Sequence, residues 1–400
     1  MKKLIIFATH PIQYQVPLWQ NMAKEGINFE VWYFTDFGTK TSFDVQFGKS
    51  FSWDLPMLEG YKYRFLKVNE NAAPNKGFKG IILREDVKKR LKEAKATHVY
   101  INGWQVIAYW QSLWASKALG LTTIFKGESN DLKPENKWIF PLKKFLLTQF
   151  FKRINYFLYI GEANKRLYLK YGINTKKLLP GLYCVDNNRF QSETLKLKDK
   201  KNKIRAKWGI PENSYCILFS GKFIQKKRPL DIITAVKKLI TTHPNLHLLF
   251  VGDGKLYTEI KHEANIVYDK EGKINPIQTG KVNLSITGFL NQSEIPHAYI
   301  AADCLILPSD YGETWGLVVN EALASGIPAI VSNQCGSAED LIKPIDKTLI
   351  FKTGEIDSLV NAINHLLNNK PARETIKKQI SKYSYISTIQ SVRKIIDDAI

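Results

Sequence analysis

The chain has 400 residues, a length that exceeds a single hydrophobic core and favours two or three domains. Apolar residues make up 44% of the chain. No run approaches the roughly 20 apolar residues of a membrane-spanning helix, which argues against an integral membrane protein. The four cysteines, Cys184, Cys216, Cys304 and Cys335, are scattered and form no C-x-x-C pair. This pattern argues against a zinc site or a disulfide framework and favours a reducing compartment.

Positive charge is concentrated in the N-terminal half. Of the net charge of +21, residues 1–190 supply 30 Lys and Arg against 15 Asp and Glu, whereas residues 191–400 hold 28 against 22. A basic half suits nucleic acid, an anionic membrane or an anionic substrate, and a solvated Lys-rich surface explains it equally well. Because the sequence carries no recognised nucleic-acid-binding motif, we expect no nucleic-acid partner.

Short β-rich runs alternate with helical spacing along residues 1–190, which predicts a first domain with a parallel sheet covered on both faces. The run from Leu4 lacks a small-residue cleavage site, so it is interpreted as a strand rather than a signal peptide. Helical spacing is clear at Glu85–Ala96 and Glu162–Tyr171. The predicted strands are Leu4–Thr9, Phe29–Phe34, His98–Asn102, Thr122–Lys126 and Tyr156–Ile160.

The alternation restarts after a polar, charged stretch at residues 191–207, which we interpret as a linker. Residues 208–380 form the second predicted domain, with helices at Arg228–Thr241 and Val318–Ser325, and a helical tail follows. The fold class is therefore α/β. The strands predicted in the second domain are Ser214–Ser220, Leu246–Val251, Val282–Thr287, Cys304–Leu307, Ala329–Ser332 and Thr348–Phe351.

A strand end, an acidic loop and a helix start follow one another from Leu307 onward. Glu313 lies in the loop, Gly316 marks the turn, and Glu321 lies about one turn into the helix. In open parallel sheets, ligands bind at the carboxyl ends of the strands, where this loop lies. At the helix start, the backbone N–H groups of Trp315, Gly316 and Leu317 would point toward an anion such as a diphosphate.

The two acids of this motif, Glu313 and Glu321, would flank that anion. Carboxylates are poor phosphate ligands but good acceptors for the hydroxyl groups of a sugar and a ribose. The alternative is that they only complement the helix dipole. A basic loop after the first strand of the second domain supplies the opposite charge. Gly221 in this loop lets the backbone approach a ligand. The loop also carries cations that could neutralise a leaving diphosphate, namely Lys222, Lys226, Lys227 and Arg228.

With these motifs the sequence resembles glycosyltransferase family 4, a family of retaining enzymes with the GT-B fold. The family's E-x7-E motif matches Glu313 through Glu321, and its Gly-Arg-x4-Lys phosphate loop is similar to Gly221–Lys227. Lys222 stands at the Arg position, where it keeps the charge but loses the bidentate fork. The similarity is strongest over about residues 215–340, and the start of the chain resembles bacterial polysaccharide-building members.

The resemblance implies two Rossmann-like domains that face each other across a cleft, with a final helix, about residues 381–400, crossing back to the first domain. It implies that Glu313 contacts the donor sugar, Glu321 the ribose, and the loop Gly288–Leu290 the base. The catalytic residues expected from it are Glu313, Lys227 and Lys222. The expected donor-binding residues are Glu321, Thr314, Trp315, Gly316, Leu317, Gly221, Gly288, Phe289 and Leu290.

The acceptor side departs from the family pattern. Many members carry a histidine in the loop that matches Ile124–Ser129, where this chain has Lys126 and Glu128. We expect these two residues to take over its contacts, and His10 and Gln15 in the first β–α loop are further candidates. No Asp-x-Asp motif is present, so we expect neither a metal nor another cofactor. The expected co-substrate is a nucleotide-diphosphate sugar, with UDP favoured over GDP and dTDP.

The segment Lys133–Arg153 mixes lysines with aromatic residues, which fits either an amphipathic helix at an anionic membrane surface or a core helix with a solvated basic face. We expect a cytoplasmic retaining glycosyltransferase, and the first of these two interpretations would place it peripherally on the inner face of the cell membrane. Its acceptor would be a glycan or a lipid-diphosphate-linked sugar in cell-surface polysaccharide synthesis. A nucleotide-sugar epimerase or hydrolase on the same fold, and a non-enzymatic basic nucleic-acid binder, are the alternatives.

Overall fold

A computed structural model describes residues 2–39, 42–44, 49–132 and 140–398. The chain divides into two compact units. Unit 1 comprises residues 1–42, 55–183 and 384–400, and unit 2 comprises residues 43–54 and 184–383.

Unit 1 is built on a seven-stranded parallel sheet with the order β5-β2-β1-β6-β7-β8-β9. The first two strands are buried at every position, as expected when helices cover both faces of a parallel sheet. The strands up to residue 183 are β1 (Leu4–Ala8), β2 (Phe29–Tyr33), the separate two-stranded pair β3 (Ser42–Asp44) and β4 (Lys49–Phe51), β5 (Tyr63–Phe65), β6 (His98–Ile101), β7 (Thr122–Lys126), β8 (Tyr156–Tyr159) and β9 (Leu178–Pro180). The helices of this part are α1 (Val16–Lys24), α2 (Val87–Glu93), α3 (Ile107–Ala118), α4 (Phe140–Phe151) and α5 (Glu162–Lys170).

Unit 2 repeats the design with a second seven-stranded parallel sheet, in the order β12-β13-β11-β10-β14-β15-β16. Its strands are β10 (Tyr215–Ser220), β11 (Leu246–Val251), β12 (Asn265–Tyr268), β13 (Asn283–Gly288), β14 (Cys304–Leu307), β15 (Ala329–Ser332) and β16 (Ile350–Phe351). Its helices are α6 (Asn187–Leu197), α7 (Lys201–Lys207), α8 (Pro229–Leu239), α9 (Tyr257–Glu263), α10 (Ile295–Ala301), α11 (Leu317–Ala324), α12 (Ile356–Asn368) and α13 (Arg373–Ser381). The last helix, α14 (Tyr385–Asp398), packs in unit 1 against α1, β8 and β9.

Residues 191–207, interpreted above as a linker, belong to unit 2, where they form the end of α6, a 3₁₀ turn at Lys198–Lys200 and α7. Arg205 of α7 is almost fully buried. Its guanidinium donates to the Ala301 carbonyl at 2.9 Å and pairs with Asp303 at 2.7 Å. These partners lie about a hundred residues away in the chain, so the local composition did not indicate that the segment is packed.

Backbone hydrogen bonds join the loops that follow β10, β11 and β13 at the carboxyl edge of the sheet of unit 2. The Gly221 N–H donates to the Val251 carbonyl and the Gly252 N–H to the Gly288 carbonyl, both at 2.9 Å. Gly252 has a φ of +140°, and a Cβ built on it would lie 2.0 Å from the Gly221 carbonyl oxygen. The close approach of the loops at this edge of unit 2 therefore requires a glycine.

Replacing Gly252 with alanine should destabilise the protein by about 3 kcal/mol, because the new Cβ meets rigid backbone and the residue must also keep a strained φ. Urea unfolding followed by circular dichroism measures the effect. Gly280→Ala is the matched control, since its φ is +72° and a Cβ there would meet no described atom within 4 Å. It should cost about 1 kcal/mol. Equal losses for the two variants would contradict this account.

Candidate functional site

The loops after β10 and β14 bring the two main predicted residues of unit 2 together. β10 and β14 are hydrogen-bonded neighbours, so the loops at their carboxyl ends are adjacent. Lys227 ends a short 3₁₀ turn in the first loop, and its ammonium group pairs with the carboxylate of Glu313 in the second. Ser309 donates to the same carboxylate oxygen at 3.0 Å. The side chains of Lys227 and Glu313 are 19% and 12% exposed, so the pair is shielded but open to a ligand.

The start of α11 is held close to this pair by two glycines. Gly316 precedes the helix with a φ of +91°, and a Cβ on it would lie 2.5 Å from the Leu307 side chain. Gly336, in the loop after β15, donates to the Glu313 carbonyl at 3.2 Å. A Cβ on Gly336 would lie 1.9 Å from the Thr314 carbonyl oxygen. These contacts fix the Glu313 loop against β14 and the loop after β15, and they place the start of α11 beside Glu313.

The other predicted cations of the β10 loop have different roles. Lys226 donates to the Gly312 carbonyl at 3.0 Å, which ties the basic loop to the acidic one. Arg228 adopts a left-handed conformation with a φ of +50° and donates to Asp231 at 2.7 Å in the first turn of α8. Lys222 is half-buried next to Gly221.

Trp315 does not project into the site, because its buried indole donates to Asn320 at 2.7 Å. Of the predicted residues around it, Thr314 and Leu317 are half-buried beside the turn. Only the backbone of Trp315 is thus available for the predicted contact.

Glu321 lies on α11 as predicted and is held by a partner that the sequence did not indicate. The hydroxyl of Tyr299 on α10 donates to its carboxylate at 2.6 Å. Burial raises the pKa of Glu321 above its usual value, while the Tyr299 hydrogen bond and the charge of Arg189 act in the opposite direction. Burial also raises the pKa of Tyr299 well above its usual range, so the phenol stays protonated and remains a donor.

Glu321→Gln should stabilise the protein at pH 8, since it removes a charge that burial disfavours. A carboxyl whose folded-state pKa is raised costs stability above that pKa. The cost vanishes as the pH falls below the usual value of 4.5. Thermal unfolding at pH 4 to 8 should therefore show a gain in Tm that disappears at the acidic end.

The control for this experiment is Glu271→Gln, at an exposed position in the turn after β12. It should leave Tm unchanged across the same pH range. A gain for Glu321→Gln that grows toward low pH would contradict the assignment.

The predicted base loop, Gly288–Leu290, packs against a segment from early in the chain that belongs to unit 2. The rings of Trp53 and Phe289 have centroids 6.0 Å apart. Asp54 accepts hydrogen bonds from the backbone of Gln292 at 3.1 Å and of Ser293 at 3.0 Å. Trp53 and Asp54 carried no signal in the sequence, because their partners lie more than two hundred residues away.

The four acceptor-side candidates lie at the carboxyl edge of the sheet of unit 1. Glu128 follows β7 and accepts hydrogen bonds from the Tyr183 hydroxyl at 2.5 Å and from the Tyr14 hydroxyl at 3.4 Å. Gln15, after β1, accepts from Asn102 at 2.8 Å. The ammonium of Lys126 lies 5.3 Å from the centre of the Tyr183 ring.

His10 shares this edge of unit 1 and is held without a charge at neutral pH. Burial lowers the pKa of its imidazole to about 4. One ring nitrogen lies 2.9 Å from the Thr9 hydroxyl, and the ring packs edge-on to Phe37 with centroids 5.3 Å apart. His10 is thus a neutral hydrogen-bonding group.

The sequence did not single out Tyr14 and Tyr183. Burial raises the pKa of both phenols well above their usual range, so they stay donors to Glu128. Tyr14 could have been suspected from its place in the first β–α loop, whereas Tyr183 has no such local signal.

Within residues 2–39, 42–44, 49–132 and 140–398, no group of three or more His, Cys, Asp or Glu residues is placed to hold a metal ion. In the same ranges no helix combines the length and the apolar character that crossing a bilayer requires. Residues 133–139 of the predicted amphipathic segment lie outside the described residues, and the remainder contains α4.

Comparison with known proteins identifies the relatives of unit 2. Residues 200–383 match the family model of the glycosyl transferases group 1. The lipopolysaccharide 1,2-N-acetylglucosaminetransferase of Salmonella typhimurium is 28% identical over 207 residues, which are 51% of this chain and 53% of that protein. The chain spans about half or less of the length of the first curated relatives it matches.

Solved structures match the whole chain. The Anabaena protein HepE in complex with UDP has a TM-score of 0.68 and 16% identity, with 100% of each chain covered. A glycosyltransferase of Rickettsia africae has a TM-score of 0.69 and 13% identity, with 99% of this chain and 98% of that chain covered. At this identity the likeness shows the fold, which is GT-B with two Rossmann-like domains. Residues 200–383 are thus similar to the group 1 glycosyl transferases, in a chain whose fold is GT-B.

Proposed function

We propose that the protein is a glycosyltransferase that takes a sugar from a nucleotide-diphosphate donor held by unit 2. The observation that carries this proposal is the pairing of Lys227 with Glu313 beside the start of α11. A cation, a hydroxyl acceptor and a helix N-terminus are the three groups that a diphosphate sugar needs. The similarity of residues 200–383 to group 1 glycosyl transferases supports it.

The leaving diphosphate is stabilised by Lys227 and Lys222 together with the N–H groups at the start of α11. These fixed positive groups take the part that a divalent cation has in metal-dependent transferases, so the reaction proceeds without a metal. Glu313 accepts hydrogen bonds from the donor sugar, and Glu321 accepts them from the ribose. The resemblance to family 4 supports retention of configuration by a front-face route, in which the leaving phosphate helps to take the proton of the acceptor.

UDP is the nucleotide we favour, because HepE was solved with UDP on the same fold. The acceptor is a glycan or a lipid-diphosphate-linked sugar. We assign it to the carboxyl edge of unit 1, where neutral His10, Gln15, Lys126 and Glu128 offer hydrogen bonds and one positive charge.

Glu313→Ala and Lys227→Ala should each lower sugar transfer by about 100- to 1,000-fold, because each removes a group that acts on the reacting phosphate or sugar. A panel of UDP-, GDP- and dTDP-sugars first identifies the donor by thermal shift of the wild-type chain. Turnover is then measured with that donor and a lipid-linked acceptor. Circular dichroism and Tm should show that both variants are folded.

Lys237→Ala is the control for charge loss. Lys237 lies on α8 in an exposed ion pair with Glu263, which contributes little to stability. Its transfer rate should stay within about twofold of the wild type. Near-normal rates for both site variants would overturn the site, and the absence of stabilisation by every nucleotide sugar would overturn the function.

We also propose that unit 1 contacts an anionic membrane through α4. The side chains of Leu142, Phe145 and Leu146 are 64%, 60% and 45% exposed, and the exposed Lys143 and Lys144 lie on the same helix. Exposed apolar side chains flanked by lysines are typical of helices that lie in a membrane interface.

Leu142→Ser combined with Phe145→Ser should weaken binding to phosphatidylglycerol vesicles by about tenfold or more, because two insertable side chains are lost. Co-sedimentation measures the binding, with phosphatidylcholine vesicles as the uncharged comparison. The matched control is Ile274→Ser with Ile277→Ser, which removes two exposed apolar side chains from unit 2. Equal binding by the two double variants would refute the contact.

A further inference from the structure

A groove lined by basic side chains lies on unit 2, away from the candidate donor site. Its cavity of about 400 Å³ is lined by Asp303 just before β14 and by Gly326 and Ile327 just before β15, so it opens at the amino-terminal edge of the sheet. A second cavity of about 280 Å³ shares Lys198 and Arg373 with it. The Lys227 and Glu313 loops follow the carboxyl ends of β10 and β14 and therefore lie at the opposite edge.

The charge of this anion groove, as we name the cavity lined by Lys198, Lys201, Asp303, Lys370 and Arg373, is strongly positive. Asp303 is the acid that lines this cavity, and both of its carboxylate oxygens form ion pairs, one with Lys201 at 2.8 Å and the other with Arg205 at 2.7 Å. In the described part of the chain, no carboxylate lies within ion-pairing distance of the three other cations, Lys198, Lys370 and Arg373. All three side chains are exposed, so an anion that enters the groove can reach them.

Two further features suit the groove to a ligand with several oxygens. The exposed side chain of Arg373 lines the groove beside Gly326, where a Cβ would lie 2.8 Å from its Nε atom. Ser325 is 5% exposed and lines the cavity, and its hydroxyl is without a hydrogen-bond partner among the described residues. A buried hydroxyl without a partner is rare in folded proteins and calls for one.

We propose that the anion groove is a second binding site, which takes a ligand that carries a phosphate or diphosphate group. Arg373 offers a planar fork of donors that matches phosphate oxygens, Lys198 and Lys370 add charge, and Ser325 adds a neutral donor. The ligand is either a free phosphate compound or the head group of a phospholipid. The shared chemistry is the phosphate group.

The groove is connected to the candidate donor site through α11. This helix begins beside Glu313, carries Glu321 and ends next to Ser325, so it runs from one edge of the sheet to the other. Tyr299 also lines the groove, and its hydroxyl donates to Glu321 at 2.6 Å. An anion in the groove thus contacts the same tyrosine and helix that hold the predicted ribose ligand.

Binding of inorganic pyrophosphate, measured by isothermal titration calorimetry, tests the proposal. The background is the full chain with Lys222→Gln and Lys227→Gln, which removes the lysines of the candidate donor site. This background should still bind pyrophosphate, more weakly as NaCl rises. Adding Lys370→Gln and Arg373→Gln should weaken the remaining binding by about tenfold or more.

The matched control adds Lys343→Gln and Lys378→Gln instead, an equal charge loss at exposed positions of unit 2 that do not line the cavity. It should change the dissociation constant by less than about twofold. A parallel flotation assay with phosphatidylglycerol vesicles distinguishes the sources of the phosphate group. A groove-specific loss of pyrophosphate binding supports a free ligand, and a groove-specific loss of vesicle binding alone supports a lipid head group.

The proposal is overturned if the control pair weakens binding as much as the groove pair does, or if the background binds neither pyrophosphate nor vesicles. No sugar transfer is measured, and the donor-site lysines are absent. A negative result therefore leaves the proposed function untouched.

Discussion

The pairing of Lys227 with Glu313 is the interaction on which the candidate donor site depends. It joins two loops that are 86 positions apart in the chain and follow neighbouring strands. Largely shielded from water, a lysine and a glutamate stabilise each other, whereas either one alone would be costly to keep there. In the proposed function, an arriving diphosphate would offer Lys227 a second anionic partner and would leave the carboxylate of Glu313 able to accept sugar hydroxyls. The same pair thus joins the two loops and is the centre of the proposed chemistry.

The neighbourhood of this pair is built for close approach rather than for stability. Gly252 and Gly336 lie where any side chain would meet backbone within about 2 Å, and Gly316 must adopt a left-handed conformation. Glu321 is a carboxylate whose ionised form is disfavoured by burial. Functional sites commonly retain such costs because the strained or buried group has a task in binding. The strands around these groups are well buried, and the stability that their burial contributes offsets these costs.

Strand polarity separates two sites of opposite character on unit 2. At the carboxyl edge, Lys227 is paired with the carboxylate of Glu313 and Arg228 with that of Asp231. At the amino edge, the anion groove has three cations without a carboxylate partner among the described residues, so its charge is uncompensated. Helix α11 spans the distance between them because helices in such folds run antiparallel to the strands they cover. One short helix therefore contacts both sites.

Local patterns in the sequence determined the α/β class and most of the sheet. Each of the eleven predicted strands overlaps a strand of the structure, because apolar runs that are buried on both faces carry their own signal. In the two seven-stranded sheets, the missed strands are β5, β9 and β12, which are three or four residues long and carry mostly exposed or half-buried side chains, so they lack that signal. The separate pair β3 and β4, each three residues long, was not predicted either. The placement of Glu313, Gly316 and Glu321 around a helix start could likewise be predicted, because it depends only on the spacing of these residues within a short segment.

Tertiary structure alone decided which distant groups meet. The partners of Glu321, Glu128 and Asp54 lie 22 to 239 residues away, and no local pattern indicates them. Composition made residues 191–207 resemble a linker, yet the burial of Arg205 beside Asp303 makes them part of unit 2. The neutral state of His10 is also a product of burial. A sequence specifies periodicity and turns within a few residues, whereas pairing, burial and pKa values depend on which elements pack together across the whole chain.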